Sequence, residues 1–236
     1  MKTMVLGANG RTGVHLVNQL LEKGLKVKAV IQPTSQIPET WMPTELLTVA
    51  RLEITRVHTA EMTRQLEDCQ AVACCLGHSP FYSKPHFLVS DTARLLSEAA
   101  THKNRHYPLK MVFLSIAGYH HPNLDPPRSS LEKWMSGLLR LVFPPLPDHE
   151  RAADYMINHV GTENPIITWS MVRPDILIQR EKISPYSIHP APIRNPYFNP
   201  GKASRINVAR FMATLITDEA SWHNWAGRMP VIYNNS

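Results

Sequence analysis

Apolar positions along the chain follow two rhythms. Compact apolar runs occur at Thr3–Leu6, Lys26–Ile31, Gln70–Gly77, Lys110–Ser115 and Ile166–Val172. Each has the length of a strand, and the near-continuous apolar character of most of them marks strands covered on both faces, as in a parallel sheet. Between them the spacing becomes helical. Val14, Val17, Leu20 and Leu21 share one face, as do Val89, Ala93, Leu96 and Ala100, and later Val208, Phe211, Met212 and Leu215. The pattern also predicts helices over 60–67, 130–141 and 148–159, the last with Asp148 as N-cap behind Pro147. Residues 42–59 are read as a short helix near 44–49 and a strand near 52–57. Trp222 and Trp225 suggest a packed helical face, and Val231–Tyr233 a final short strand. Strands alternating with helices define an α/β chain with a doubly wound, mainly parallel sheet.

The character changes between Pro122 and Pro200, which hold thirteen of the twenty prolines. Residues 179–201 read as a long loop, and such loops usually line a site or form a lid. The expectation is one domain over 1–236, with a core of about 1–175 and a small proline-rich C-terminal lobe of about 176–236.

The first apolar run leads straight into Gly7-Ala8-Asn9-Gly10-Arg11-Thr12-Gly13 and then into the first helix. In a strand–turn–helix unit this spacing has a mechanical reading. Gly7 permits the tight turn, Gly10 has no Cβ and lets a diphosphate approach the backbone, and Gly13 allows close helix packing. The helix N-terminus offers N–H groups and partial positive charge to an anion. A glycine-rich turn that holds nothing is the plainer alternative, but few turns need three glycines so spaced. Gly7, Asn9, Gly10, Arg11, Thr12 and Gly13 are therefore candidate cofactor-binding residues. The second strand ends at Ile31-Gln32 with no carboxylate to bind a ribose 2′-hydroxyl or repel a 2′-phosphate. Gln32 joins the candidates, and Arg11 is the expected source of attraction for that phosphate. The expected cofactor is NADP (NADPH) in preference to NAD.

The opening GANGRTGVHLVNQLLEKGLKVKAVIQ resembles the extended and atypical short-chain dehydrogenases/reductases, especially the NmrA-like and biliverdin-reductase-B-like (flavin reductase) branch, which has a Rossmann fold. The likeness is strongest at 3–32, 70–77, 110–118 and 148–175 and extends to the C-terminus. It implies that the fourth strand, ending at Leu76-Gly77, passes the cofactor, and that Arg173-Pro174 lies near the nicotinamide. Arg173 is open to two roles, functional group or structural ion-pair partner. Gln32 stands where these reductases often carry Arg, and Thr55 where many carry an adenine-binding Asp. The usual Tyr-x-x-x-Lys pair is missing. Glu150 occupies the Lys position and Ile116 the Ser position, with Ser115 one residue earlier. Tyr155 and His159 are four apart but too far along their helix to match the motif. Asp148-His149 matches the flavin-reductase-like relatives, and Asp175 replaces a His of theirs. Ser115 and His149 are the candidate catalytic residues, His149 being either a proton donor or a surface residue of its helix. Hydride transfer from NADPH to a small acceptor (quinone, flavin or carbonyl) is the first implied function. A non-catalytic NmrA-like dinucleotide sensor is the second, and a structural assembly factor on the same scaffold a third.

Composition narrows this little. The net charge of +6 suits an anionic ligand, and without a block of five like charges it gives no case for nucleic acid. Cys69, Cys74 and Cys75 lack C-x-x-C spacing and read as buried thiols of a cytoplasmic protein. His78 is read as a loop residue, and His120-His121 as no metal pair, since adjacent side chains diverge in an extended loop; no metal site is expected. No apolar run reaches membrane-spanning length, so no membrane is expected among its partners, which are a dinucleotide and a small-molecule substrate. The pattern is silent on oligomeric state.

Overall fold

The computed structural model describes residues 1–77, 87–102, 107–121, 125–143 and 145–235; His78 lies outside them. The chain runs β1 (Lys2–Leu6), α1 (Gly13–Glu22), β2 (Lys26–Ile31), β3 (Leu47–Arg51), α2 (Thr59–Gln65), β4 (Ala71–Cys74), α3 (Leu88–Thr101) and β5 (Leu109–Leu114). Two helices follow, α4 (Ser130–Val142) and α5 (Pro145–Tyr155). The remainder is β6 (Ile167–Pro174), β7 (Ile176–Ile178), β8 (Tyr186–His189), β9 (Lys202–Ser204), α6 (Arg205–Thr217), α7 (Glu219–Trp225) and β10 (Val231–Asn234).

Eight strands form one sheet in the order β3-β2-β1-β4-β5-β6-β10-β8. Every pairing up to β10 is parallel, and β8 closes the edge antiparallel. The sheet is a Rossmann-type doubly wound sheet: the chain moves outward from β1 to β3, then restarts on the other side of β1 with β4. That reversal opens a crevice at the carboxyl ends of β1 and β4. Met4–Leu6 and all of β4 are buried, as a sheet covered on both faces requires. On one face α2, α3 and α5 pack through residues such as Leu96, Phe113 and Trp169. On the other α1, α6 and α7 pack through Leu16, Val112 and Met212. Because β10 pairs with β6 and α6 lies beside α1, residues from about 205 onward belong to the layers of the core. The segment outside them, 176–204, carries the small β7-β9 pair and edge strand β8.

Three stretches differ from the sequence reading, one being 179–201, expected as a loop, which holds the edge strand β8 paired to β10. The third strand is Leu47–Arg51, where a helix was expected, and a 3-10 turn at Ile54–Arg56 replaces the expected strand. β3 is an edge strand with no buried residue, so its apolar signal is weak. Helix α5 begins at Pro145, ahead of Asp148, and gives way to a π turn at Met156–Val160. Pro145 and Pro147 both fit the first turn because the N–H groups there have no intrahelical acceptor.

Candidate functional site

The glycine turn is the geometric centre of the crevice. Gly7 has φ +68°, and a Cβ there would lie 2.9 Å from the Cys75 carbonyl oxygen in the loop after β4. A Cβ on Gly13 would lie 2.2 Å from Gly7 O and 2.8 Å from Ala8 O. The fold itself demands these two glycines. A Cβ on Gly10 would meet Gly7 O alone, at 3.1 Å, and Gly10 lines an open cleft. Helix α1 starts behind Thr12 with no side-chain cap bond. Val14 N already donates to Gly10 O at 3.0 Å, so what the helix start offers an anion is the positive end of its dipole, with no side-chain cap in front of it.

The cleft measures about 790 Å³. Gly7, Asn9 and Gly10 form its base, Gln32–Ser35 and Leu52–Arg56 two walls, and Cys75–Gly77 with Leu88 the far lip. The Gln32–Ser35 wall is held from outside: Arg51, the last residue of β3, donates through Nη1 to Pro33 O and Ser35 O, both at 2.8 Å. Thr55 lines the cleft together with apolar Leu52 and Ile54. The second wall also brings in Glu53 and Arg56, an ion pair at 3.3 Å. Sequence reasoning missed Arg51, Glu53 and Arg56, because it places a helix near 44–49 and a strand near 52–57 where the chain forms β3 and then bends through the 3-10 turn.

Of the residues expected at the cofactor, Gly7, Asn9, Gly10, Gln32, Leu76 and Gly77 line this cleft. Thr12 and Gly13 sit behind it at the start of α1. Arg11 is not part of the lining. It is exposed, and its charge falls near Arg205, whose pKa is lowered first by burial and then by Arg11. Arg11, expected to attract a 2′-phosphate, thus lies outside the cleft lining, whereas Arg56 is part of it. His15 shares the neighbourhood of Arg205, with burial and the Arg205 charge lowering its pKa, and contacts Gln179 at 3.4 Å.

Ser115, Arg173 and Pro174 lie further along the sheet, at the ends of β5 and β6. Ser115 is buried, and its hydroxyl has no hydrogen-bond partner among the described residues. Arg173 is fully buried and takes the structural role. Its guanidinium forms a two-pronged pair with Asp125 at 2.6 and 2.9 Å, and donates to Met229 O, Tyr119 O and Pro190 O at 2.7, 3.3 and 3.4 Å. All five N–H donors are engaged, which leaves none for a dinucleotide and corrects its place among the cofactor ligands. Pro174 is tied into the sheet, its carbonyl accepting from Ala117 N at 3.0 Å.

His149 is buried within α5, which corrects its reading as a surface residue. Its neighbour Asp148 is no N-cap of its own helix. The Asp148 carboxylate instead accepts from Val89 N at 2.8 Å and Ser90 N at 2.9 Å, capping α3 from outside. Glu150 pairs with Arg140 through two contacts of 2.8 and 3.0 Å. Tyr119 donates to Asp154 at 3.1 Å, and burial followed by the Asp154 charge pushes its pKa up. Asp175, just past β6, accepts from Gly201 N at 2.7 Å, and burial raises its pKa. Burial also pushes Cys69 and Cys74 up to about 12 and Cys75 higher still, so the three are neutral thiols inside the core. His120 contacts Pro126 O at 3.0 Å, and no group of three metal-ligating side chains occurs among the described residues. Among the same residues no helix is long and apolar enough to cross a membrane.

A doubly wound sheet with a bare glycine turn and an uncapped helix behind it defines a nucleotide-binding α/β protein. The chain belongs to the NAD(P)H-binding family, whose model matches residues 7–219. Solved structures share the fold at low identity. The oxidoreductase ylbE from Lactococcus lactis superposes with a TM-score of 0.71 at 16% identity, covering 100% of this chain and 92% of that one. A short-chain dehydrogenase/reductase from Veillonella parvula, in complex with NADP, gives 0.70 at 16%, covering 100% and 95%. ChuY, an anaerobilin reductase from Escherichia coli O157:H7, gives 0.63 at 13%, covering 100% and 98%. An uncharacterized chloroplastic protein from Arabidopsis thaliana is 32% identical over 79 residues, 34% of this chain and 28% of that protein's length.

Proposed function

We propose that this protein is an NADP(H)-dependent oxidoreductase that passes a hydride from NADPH to a small quinone, flavin or carbonyl acceptor. The observation that carries the reading is the cleft at the sheet's reversal, where Gly10 is bare toward open space while Gly7 and Gly13 are bare for internal packing. The residues present fit a dinucleotide. Gly10 and the N-terminus of α1 would hold the diphosphate, Gln32, Thr34 and Ser35 the adenosine ribose, and Leu52, Ile54 and Leu88 the adenine faces. When bound, the nicotinamide supplies the hydride chemistry, and the protein positions it and excludes water. Preference for NADP over NAD rests on the end of β2, where Gln32 places no carboxylate against a 2′-phosphate.

Ser115 and His149 keep a proton-handling role within this proposal. The support for Ser115 is its buried hydroxyl at the end of β5, which has no hydrogen-bond partner among the described residues and so keeps its donor uncommitted. His149 is a buried imidazole, a residue type whose ordinary pKa suits proton transfer near neutrality. A dinucleotide sensor without turnover is the second reading. It is favoured by the missing Tyr-Lys pair and by Tyr119 and Arg173, whose polar groups are committed to protein partners. NADPH oxidation against a panel of quinones, flavins and carbonyls tests the choice. The enzyme reading expects turnover that falls about tenfold or more in Ser115→Ala and survives in Tyr119→Phe. NADPH binding without turnover on any acceptor would overturn it in favour of the sensor.

A further inference from the structure

We propose that Arg56, carried into the cleft by the 3-10 turn after β3, is the residue that selects a 2′-phosphorylated dinucleotide, with Glu53 as the partner it exchanges for the phosphate. The assignment rests on the dinucleotide reading above and names the group that discriminates within it.

Three observations support it. First, among the described residues that line the cleft, Arg56 alone carries a positive charge. It faces the same space as Gln32, Thr34 and Ser35, the wall where an adenosine ribose would rest. The end of β2 brings no cation of its own. Arg51 is nearby, but one of its nitrogens is committed to the carbonyls of Pro33 and Ser35 and shapes the wall from behind. Second, Arg56 is lightly held. Its side chain is 80% exposed, and its ion pair is a single 3.3 Å contact through Nε to Glu53, itself 48% exposed. Such a solvated pair contributes little and is readily given up. A phosphate dianion offers the guanidinium fork a two-pronged contact that the present carboxylate contact does not. Third, Glu53 is a built-in counterweight. Uncovered, its carboxylate repels a phosphate and can accept a hydrogen bond from a 2′-hydroxyl, the task that an acid at the end of β2 performs in other dinucleotide folds. The Glu53–Arg56 pair thus places both halves of the choice on one turn, three residues apart.

The test is a set of calorimetric titrations of the full chain with NADPH, NADH and 2′,5′-ADP, in wild type, Arg56→Ala, Arg56→Lys and Arg11→Ala. Arg56→Ala is expected to weaken NADPH and 2′,5′-ADP about tenfold or more, with NADH within about threefold on the same scale. Arg56→Lys is expected to recover part of that loss, since the charge returns without the fork. Arg11→Ala is expected to move NADPH and NADH together. An NADPH-to-NADH ratio unchanged in Arg56→Ala would overturn the assignment while leaving the dinucleotide reading intact, and so would a ratio that collapses in Arg11→Ala. Failure of wild type to bind either dinucleotide would overturn both.

Discussion

At the scale of single residues, the most consequential polar contact joins Arg173 and Asp125. Both side chains are almost wholly withdrawn from water, at 0% and 2% exposure, and they meet through two hydrogen bonds. Asp125 also accepts from His121 N at 2.8 Å, so one carboxylate pins the loop after β5 to the end of β6. Removing it leaves a guanidinium charge buried without its counterion, and breaking such a pair costs about 3–5 kcal/mol. Asp125→Ala is therefore expected to lose stability of that order in urea unfolding. A double replacement, Asp125→Leu with Arg173→Met, is expected to recover most of the loss. A single-variant loss below about 1 kcal/mol, the range of an exposed pair, would contradict the structural assignment of Arg173. The sequence shows Arg173 in a Val-Arg-Pro context but leaves its partner open, because Asp125 lies 48 residues away in a proline-rich stretch whose path no local pattern sets.

At the scale of elements, Asp148 is the informative case. Its position near the start of a helix led to its reading as that helix's N-cap, whereas its carboxylate serves the first turn of α3. Local sequence reveals the residue type that caps well but not which of two adjacent helix ends receives it. An external cap obeys the same energetics as an internal one: it satisfies orphan N–H groups and places negative charge at the positive end of the dipole. Asp148→Ala is expected to cost about 1–2 kcal/mol and to speed amide exchange selectively in the first turn of α3. Equal exchange in variant and wild type would contradict the cap. The misreading of β3 has a related cause. An edge strand that buries no residue carries little periodic signal, and so its apolar positions do not mark it as a strand. Strands buried on both faces, such as β4 and β5, were legible because their surroundings require continuous apolar side chains.

At the scale of the whole molecule, strand order turns local patterns into a site. The reversal between β1 and β4 sets the glycine turn beside Cys75–Gly77, close enough that a Cβ on Gly7 would touch the neighbouring backbone. The turn, Gln32 and Leu76-Gly77 were legible because each ends a recognisable strand. The Glu53–Arg56 wall was not, since it depends on how the chain bends after an edge strand. The central claim is that the open side of this turn holds a dinucleotide diphosphate, and Gly10 is the position that isolates it. A Cβ there would meet only Gly7 O within 4 Å, at 3.1 Å, and Gly10 lines the cleft. The most direct measurement is a calorimetric titration of NADPH into wild type and Gly10→Val, with circular dichroism confirming that both are folded. The account predicts saturable one-to-one binding by wild type and none by the folded variant. NADPH bound with equal affinity by both would contradict it.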